Sequence, residues 1–248
     1  MAWFNRGVAR ETLTEARSLF ERALALDPRN VDAELNVAGI DAVVGALYMT
    51  DDRGERLATA ETTVTKLLLV APNNAWMHCW MGYIKTFTNR AAQAISEFER
   101  AMALDPNLAF AHALIGLAEL YLGRAEKTEG HVLEAMRLSP RDTWAFVWEQ
   151  FAGGAKLALG ADDKAVAWYR RSIESNGNFP LSHLYLAVAL ARLGRLEEAQ
   201  AEVKAGLALD PEFTLRRFRA GPASDNPKFL ALRERLYDAM RKAGVPEG

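Results

Sequence analysis

Along this chain, small and large apolar residues recur at helical spacing, and each recurrence ends near a proline. The stripe reads Ala16, Phe20, Ala23 before Pro28, then Ala94, Phe98, Ala101 before Pro106. It returns as Thr128, Val132, Ala135 before Pro140, and as Ala199, Val203, Gly206 before Pro211. Spacings of four and three residues put each stripe on one face of an amphipathic helix, and the proline lies just past the helix end. Asn89, Gly123, Gly160 and Gly194 each stand five residues before the small residue that opens the stripe. Glycine or asparagine there suits a left-handed helix C-terminus. A more evenly apolar helix precedes each turn, as in residues 75–87 and 111–122. The predicted unit is helix, tight turn, helix, proline.

Pro72, Pro106 and Pro140 are spaced 34 residues apart, so the unit repeats. Five full repeats are expected within residues 31–211, starting near Val31, Ala75, Ala109, Thr143 and Pro180, after a partial repeat in residues 1–30. The interval from Pro28 to Pro72 is 44 residues, which places about ten extra residues around Tyr48 to Arg56, where they should extend two helices. The fifth repeat runs about three residues over and has Gly177 where a proline would close it; a helix lengthened to span Thr143 to Leu159 would absorb the surplus. Residues 212–248 leave the pattern. There Asn226 and Pro227 open an amphipathic helix that Gly244 ends, an expected cap for an all-α solenoid.

This pattern resembles the tetratricopeptide repeat over some 200 of the 248 residues. The resemblance implies a right-handed superhelix of helix pairs, with a C-terminal capping helix and with the first helix of each pair lining a concave face. Residues 5–28, 88–112 and 225–248 together are also similar to the C-terminal repeat region of large bacterial regulators, often labelled adenylate cyclases or winged-helix regulators. That similarity implies a regulatory, sensing or scaffolding portion without its output domain, binding a small molecule or that output domain, and an abrupt N-terminus of the kind a fragment would have.

Carried over from the tetratricopeptide family, the ligand-facing positions are Trp76, Cys79, Tyr83 and Phe87 in the third unit. In the fourth they are Phe110, Leu117 and Tyr121, and in the sixth Leu181 and Leu184. Cys79 and Tyr83 stand where carboxylate-clamping relatives carry lysine and asparagine. The implied ligand is therefore a protein or peptide with an apolar face. Burying one such aromatic is worth roughly 1.5–3 kcal/mol, so a few can anchor a partner. The opposite reading is that aromatics in stacked helices are packing, and the pairs Trp76/Trp80 and Trp144/Trp148 each share one helix face.

Charge and composition narrow the chemistry. A net charge of −2 lacks the basic footprint of a nucleic-acid binder. No segment reaches the roughly 20 apolar residues of a membrane span. Cys79 is the single cysteine, so no intrachain disulfide forms, and a cytoplasmic setting is expected, with a periplasmic one compatible if a longer membrane-anchored protein carries this region. His78, His112 and His183 share the fourth position of their repeats, about 8–10 Å apart between neighbouring helices and too far for one metal ion. No phosphate loop, HExxH or GxSxG occurs, and adjacent His78 and Cys79 point about 100° apart on a helix. Neither enzyme nor cofactor is expected. The arginines at 216, 217 and 219 read as a solvated face or as a contact for an anionic partner. An apolar N-terminal edge would allow two copies to pair.

Overall fold

The computed structural model describes residues 10–220 and 223–248. The opening nine residues of the partial N-terminal repeat lie outside them. Among the described residues eleven helices form the array: α1 (Arg10–Leu26), α2 (Val31–Ala46), α3 (Arg53–Val70), α4 (Ala75–Phe87), α5 (Ala91–Leu104), α6 (Ala109–Tyr121), α7 (Thr128–Leu138), α8 (Ala145–Ala158), α9 (Asp162–Ser175), α10 (Pro180–Arg192) and α11 (Leu196–Leu209). A short α12 (Leu215–Arg219) and a long α13 (Pro227–Ala243) follow. No strand occurs among the described residues.

Two kinds of helix alternate, and their sequences explain the layering. The second helices are amphipathic and bury one stripe, such as Ala94, Phe98 and Ala101 in α5, each with no exposed surface. The first helices are buried almost all round, as in α6 from Ala109 to Leu120. Helices α2, α4, α6, α8 and α10 pack side by side as the inner layer, and each also packs on the second helix of its own pair. Residues Asn89, Gly123, Gly160 and Gly194 adopt left-handed φ values of 59°, 75°, 72° and 78° at the ends of the inner helices. Asn30, Asn74 and Asn226 cap the N-termini of α2, α4 and α13 with their side-chain oxygens.

Close approach within a pair depends on absent side chains. A Cβ on Gly82 would lie 2.5 Å from Phe98 of α5, and one on Gly153 would lie 2.6 Å from Tyr169 of α9. The large residue of the outer stripe thus seats its ring against a glycine of the inner helix.

The irregular units resolve differently. The insertion lengthens α2 to 16 residues and α3 to 18, joined by a turn at 47–52. The surplus of the fifth repeat does not lengthen its first helix from Thr143 to Leu159, because α8 has 14 residues and begins at Ala145. It falls mainly in the linker 139–144, six residues long where α1–α2, α3–α4, α5–α6 and α9–α10 are joined by four. Asp142 explains the delay: its side chain accepts from Trp144 N at 2.9 Å, fixing a turn before the helix starts.

Candidate functional site

Two rows of aromatic rings cross the inner helices. One runs near their N-termini, from Trp76 to Phe110 (6.2 Å), Phe110 to Trp144 (5.8 Å), Trp144 to Phe146 (6.4 Å) and Phe146 to Phe179 (5.0 Å). All but the half-buried Trp76 are at most 5% exposed, so this row is a packed spine. The second row lies towards the C-terminal ends: Tyr83 to Phe87 (4.9 Å), Phe87 to Tyr121 (6.0 Å) and Tyr121 to Phe229 of α13 (4.7 Å).

The residues singled out by repeat position distribute between these surroundings. Phe87, Leu117, Tyr121 and Leu181 come together around one cavity of about 80 Å³ between the inner helices and α13. Tyr83 backs that wall, stacked on Phe110 at 6.3 Å, and burial pushes its hydroxyl pKa up. Trp76 and Phe110 belong to the N-terminal spine. Cys79 has no exposed surface, and burial pushes its thiol well above the ordinary range, which leaves it inert as a nucleophile. Leu184 points at α11, where a Cβ on Gly206 would meet its Cγ at 2.9 Å.

The remaining wall of the cavity is α13. An end cap would pack mainly on α11, the outer helix of the last pair; α13 instead packs chiefly on the inner helix α10 and touches α8. The strand of chain before it is held at the ends of α4 and α6. Ser224 Oγ donates to Tyr121 O at 2.7 Å, Asn226 Nδ2 donates to Leu122 O at 3.1 Å, and Asp225 N donates to Asn89 Oδ1 at 2.9 Å. From there α13 buries Phe229, Leu232, Leu236, Tyr237 and Met240 and exposes Leu230, Glu234, Arg235 and Asp238.

Arg233 lies on the buried face of α13, 3% exposed. Its Nε donates to Tyr237 Oη at 2.7 Å, Nη1 donates to Tyr48 Oη at 3.0 Å, and Nη2 donates to the Phe218 carbonyl. The guanidinium also lies over the rings of Phe218 (4.5 Å) and Tyr237 (5.1 Å). Tyr48, in the α2–α3 insertion, has φ of 59°, a conformation that costs a bulky residue on the order of 1 kcal/mol. Its ring contact with Phe218 at 5.1 Å and its hydrogen bond to Arg233 hold it there. Beside it Arg53 Nη1 donates to Ala220 O at 2.8 Å, and Arg217 pairs with Asp51 at 3.1 Å. The arginine cluster is therefore partly engaged by the insertion, with Arg219 lying over the Tyr237 ring at 4.6 Å.

His78 and His183 act as staples. His78 places Nδ1 2.7 Å from Glu97 and Nε2 2.9 Å from Pro72 O, and His183 places Nδ1 2.7 Å from Glu202 and Nε2 3.1 Å from Gly177 O. Both ring nitrogens of His183 face acceptors, which favours the doubly protonated ring. The hydrogen bond to Glu202 is the main cause that raises its pKa above 6.5. A raised folded-state pKa gives stabilisation that is complete below pH 6.5 and is lost as pH rises through the folded value. The His183→Gln variant is accordingly expected to lose less thermal stability than wild type between about pH 6 and about pH 9. Melting temperatures across that range would check this; equal slopes for the two proteins would contradict it.

No helix among the described residues is long and apolar enough to cross a membrane. Residues 77–108 and 168–201 match tetratricopeptide-repeat family models. Comparison with curated proteins gives no match. Among solved structures, a thermophilic TPR protein of Thermus thermophilus aligns with a TM-score of 0.59 at 21% identity, covering 75% of this chain and 92% of its own. PilF of Pseudomonas aeruginosa aligns with 0.56 at 18% identity, covering 86% and 87%. The APC/C hetero-tetramer Cut9–Hcn1 aligns with 0.66 at 14% identity, covering 92% of this chain and 40% of that one. At such identities the likeness concerns the fold, and together with the two matched repeats it shows the all-α fold of a tetratricopeptide-repeat solenoid.

Proposed function

We propose that this chain is a protein-interaction scaffold whose concave, aromatic groove receives an amphipathic helix, and that α13 is the resident form of that ligand. The observation that carries this reading is the seating of α13 along the inner helices. It presents Phe229, Leu232, Leu236 and Met240 to the groove, at spacings of three, four and four residues, which is how an amphipathic helix fills an apolar groove. Tetratricopeptide proteins generally bind protein or peptide partners, and the aromatic row at Phe87 and Tyr121 supplies anchors of the type that dominate interfaces. A partner helix with the same apolar spacing would compete with α13 for this surface. The similarity to the repeat regions of bacterial regulators would place such a helix in a longer signalling polypeptide.

The test uses the full chain with Leu232→Asp and Leu236→Asp, which put two charges on the buried face of α13. A fluorescently labelled peptide of residues 224–248 is expected to bind this variant at least about tenfold more tightly than wild type, since the resident helix no longer competes. Adding Tyr121→Ala should weaken the peptide again. A loosened variant that keeps the helicity of the array yet binds no peptide would overturn the reading.

A further inference from the structure

We propose that the cavity between α13 and the inner helices is a binding site for a short-chain organic carboxylate. The proposal is independent of the groove's protein partner and concerns what fits behind α13 when that helix is seated.

The first observation is a buried cation without a counter-ion. Arg233 is 3% exposed, lines the cavity, and forms no ion pair with any described carboxylate. A buried guanidinium normally has an anionic partner, because neutral acceptors replace its hydration incompletely. Three of its N–H groups donate to Tyr237, Tyr48 and Phe218, one each from Nε, Nη1 and Nη2. Of the five a guanidinium carries, one on each terminal nitrogen is left over. Those two are the donors that a carboxylate takes.

The second observation is independent of Arg233. Tyr169 also lines the cavity, has no exposed surface, and its hydroxyl has no hydrogen-bond partner. A native interior rarely tolerates an unsatisfied hydroxyl without a reason such as an absent ligand. Tyr169 stacks on Tyr185 at 5.8 Å, and Tyr185 and Tyr121 line the same cavity as Arg233.

Size and wall chemistry select the ligand. Leu117, Leu157 and Leu232 make much of the surface apolar, which disfavours an all-polar anion such as phosphate. The volume of about 80 Å³ has room for two or three waters at about 30 Å³ each, or for roughly three or four non-hydrogen atoms. A carboxylate with a short alkyl chain meets both demands: the head takes the free hydrogens of Arg233 or Tyr169, and the chain rests on the leucines.

Sodium acetate and its neutral isostere acetamide, titrated into the full chain at constant ionic strength, distinguish the possibilities. Calorimetry and melting temperature provide the readouts. Acetate is expected to bind at least about tenfold more tightly than acetamide and to raise the melting temperature, because only the anion completes an ion pair with Arg233. Arg233→Met should abolish the preference for the anion. Since that variant can also unseat α13, Tyr169→Phe is the second probe. Its hydroxyl has no protein partner, so the variant should keep the wild-type melting temperature without ligand and lose at least about threefold in acetate affinity. Equal binding of acetate and acetamide to wild type, or binding of neither, would overturn the proposal. So would unchanged acetate affinity in both variants.

Discussion

Trp80→Ala is expected to cost about 3–5 kcal/mol of stability, the range for truncating a large buried aromatic. Trp80 is 2% exposed and serves three helices at once. Its indole lies where a Cβ on Gly39 of α2 would be 2.7 Å away, and its ring meets Tyr83 of α4 at 5.4 Å and Phe110 of α6 at 6.2 Å. No neighbour can fill the gap, because each is fixed by its own backbone. For a chain of this size the melting temperature should fall by on the order of 10 °C. The contact with Gly39 supplies an internal check. Alone, Gly39→Ala pushes a methyl into the indole and should cost about 1–3 kcal/mol. On the Trp80→Ala background it should cost almost nothing, so the two effects are strongly non-additive. Urea unfolding of the four proteins measures the coupling; additive losses would show that the two residues do not touch.

Gly82→Val is expected to be nearly as damaging, by about 3 kcal/mol, for the opposite reason. The added branch meets three atoms of the Phe98 ring at 2.5–2.8 Å, and Phe98 has no exposed surface into which to retreat. Helices α4 and α5 must separate, and the stripe that closes the pair opens with them. Gly54, in the first turn of α3, has nothing within 4 Å of an added Cβ. There Gly54→Ala should be neutral or stabilising by up to about 1 kcal/mol, since alanine is the better helix former. Thermal unfolding of both variants separates a crowding effect from a generic response of helical glycines.

The contrast between these glycines also marks where the sequence was readable. Local chemistry repeats at a fixed period, so Ala94, Phe98 and Ala101 with their proline, and the turn residues Asn89 and Gly123, declare the helix pairs. Gly82 and Gly116 carry the same period, both eighth in their inner helices, and were a legible sign of close approach that the outer stripe overshadowed. The candidate site was legible only where it follows the period. Repeat positions reach Phe87, Leu117, Tyr121 and Leu181, which share the cavity, but they also name Leu184, which faces α11. Tyr48 sits in the insertion, outside any repeat register, so no positional rule reaches it. Arg233 left a fainter trace. It falls on the apolar face of α13, beside Leu232 and four residues before Tyr237, where a solvated arginine has no place. Which surface α13 would cover is a matter of long-range packing, and periodicity carries no information about that.

The contacts of the insertion with α12 and α13 alter how the whole chain should come apart. In a linear array each unit touches only its neighbours, and melting can begin at either end and spread in stages. Here Asp51 reaches Arg217 across 166 residues and Tyr48 reaches Arg233 across 185. The stretch from the insertion to α13 is thereby closed on itself, and α13 cannot fray without breaking the lock. Unfolding of that stretch should be a single cooperative event, and its folding should be slow for a helical protein, since the lock forms only after the closure entropy of a loop of 185 residues has been overcome.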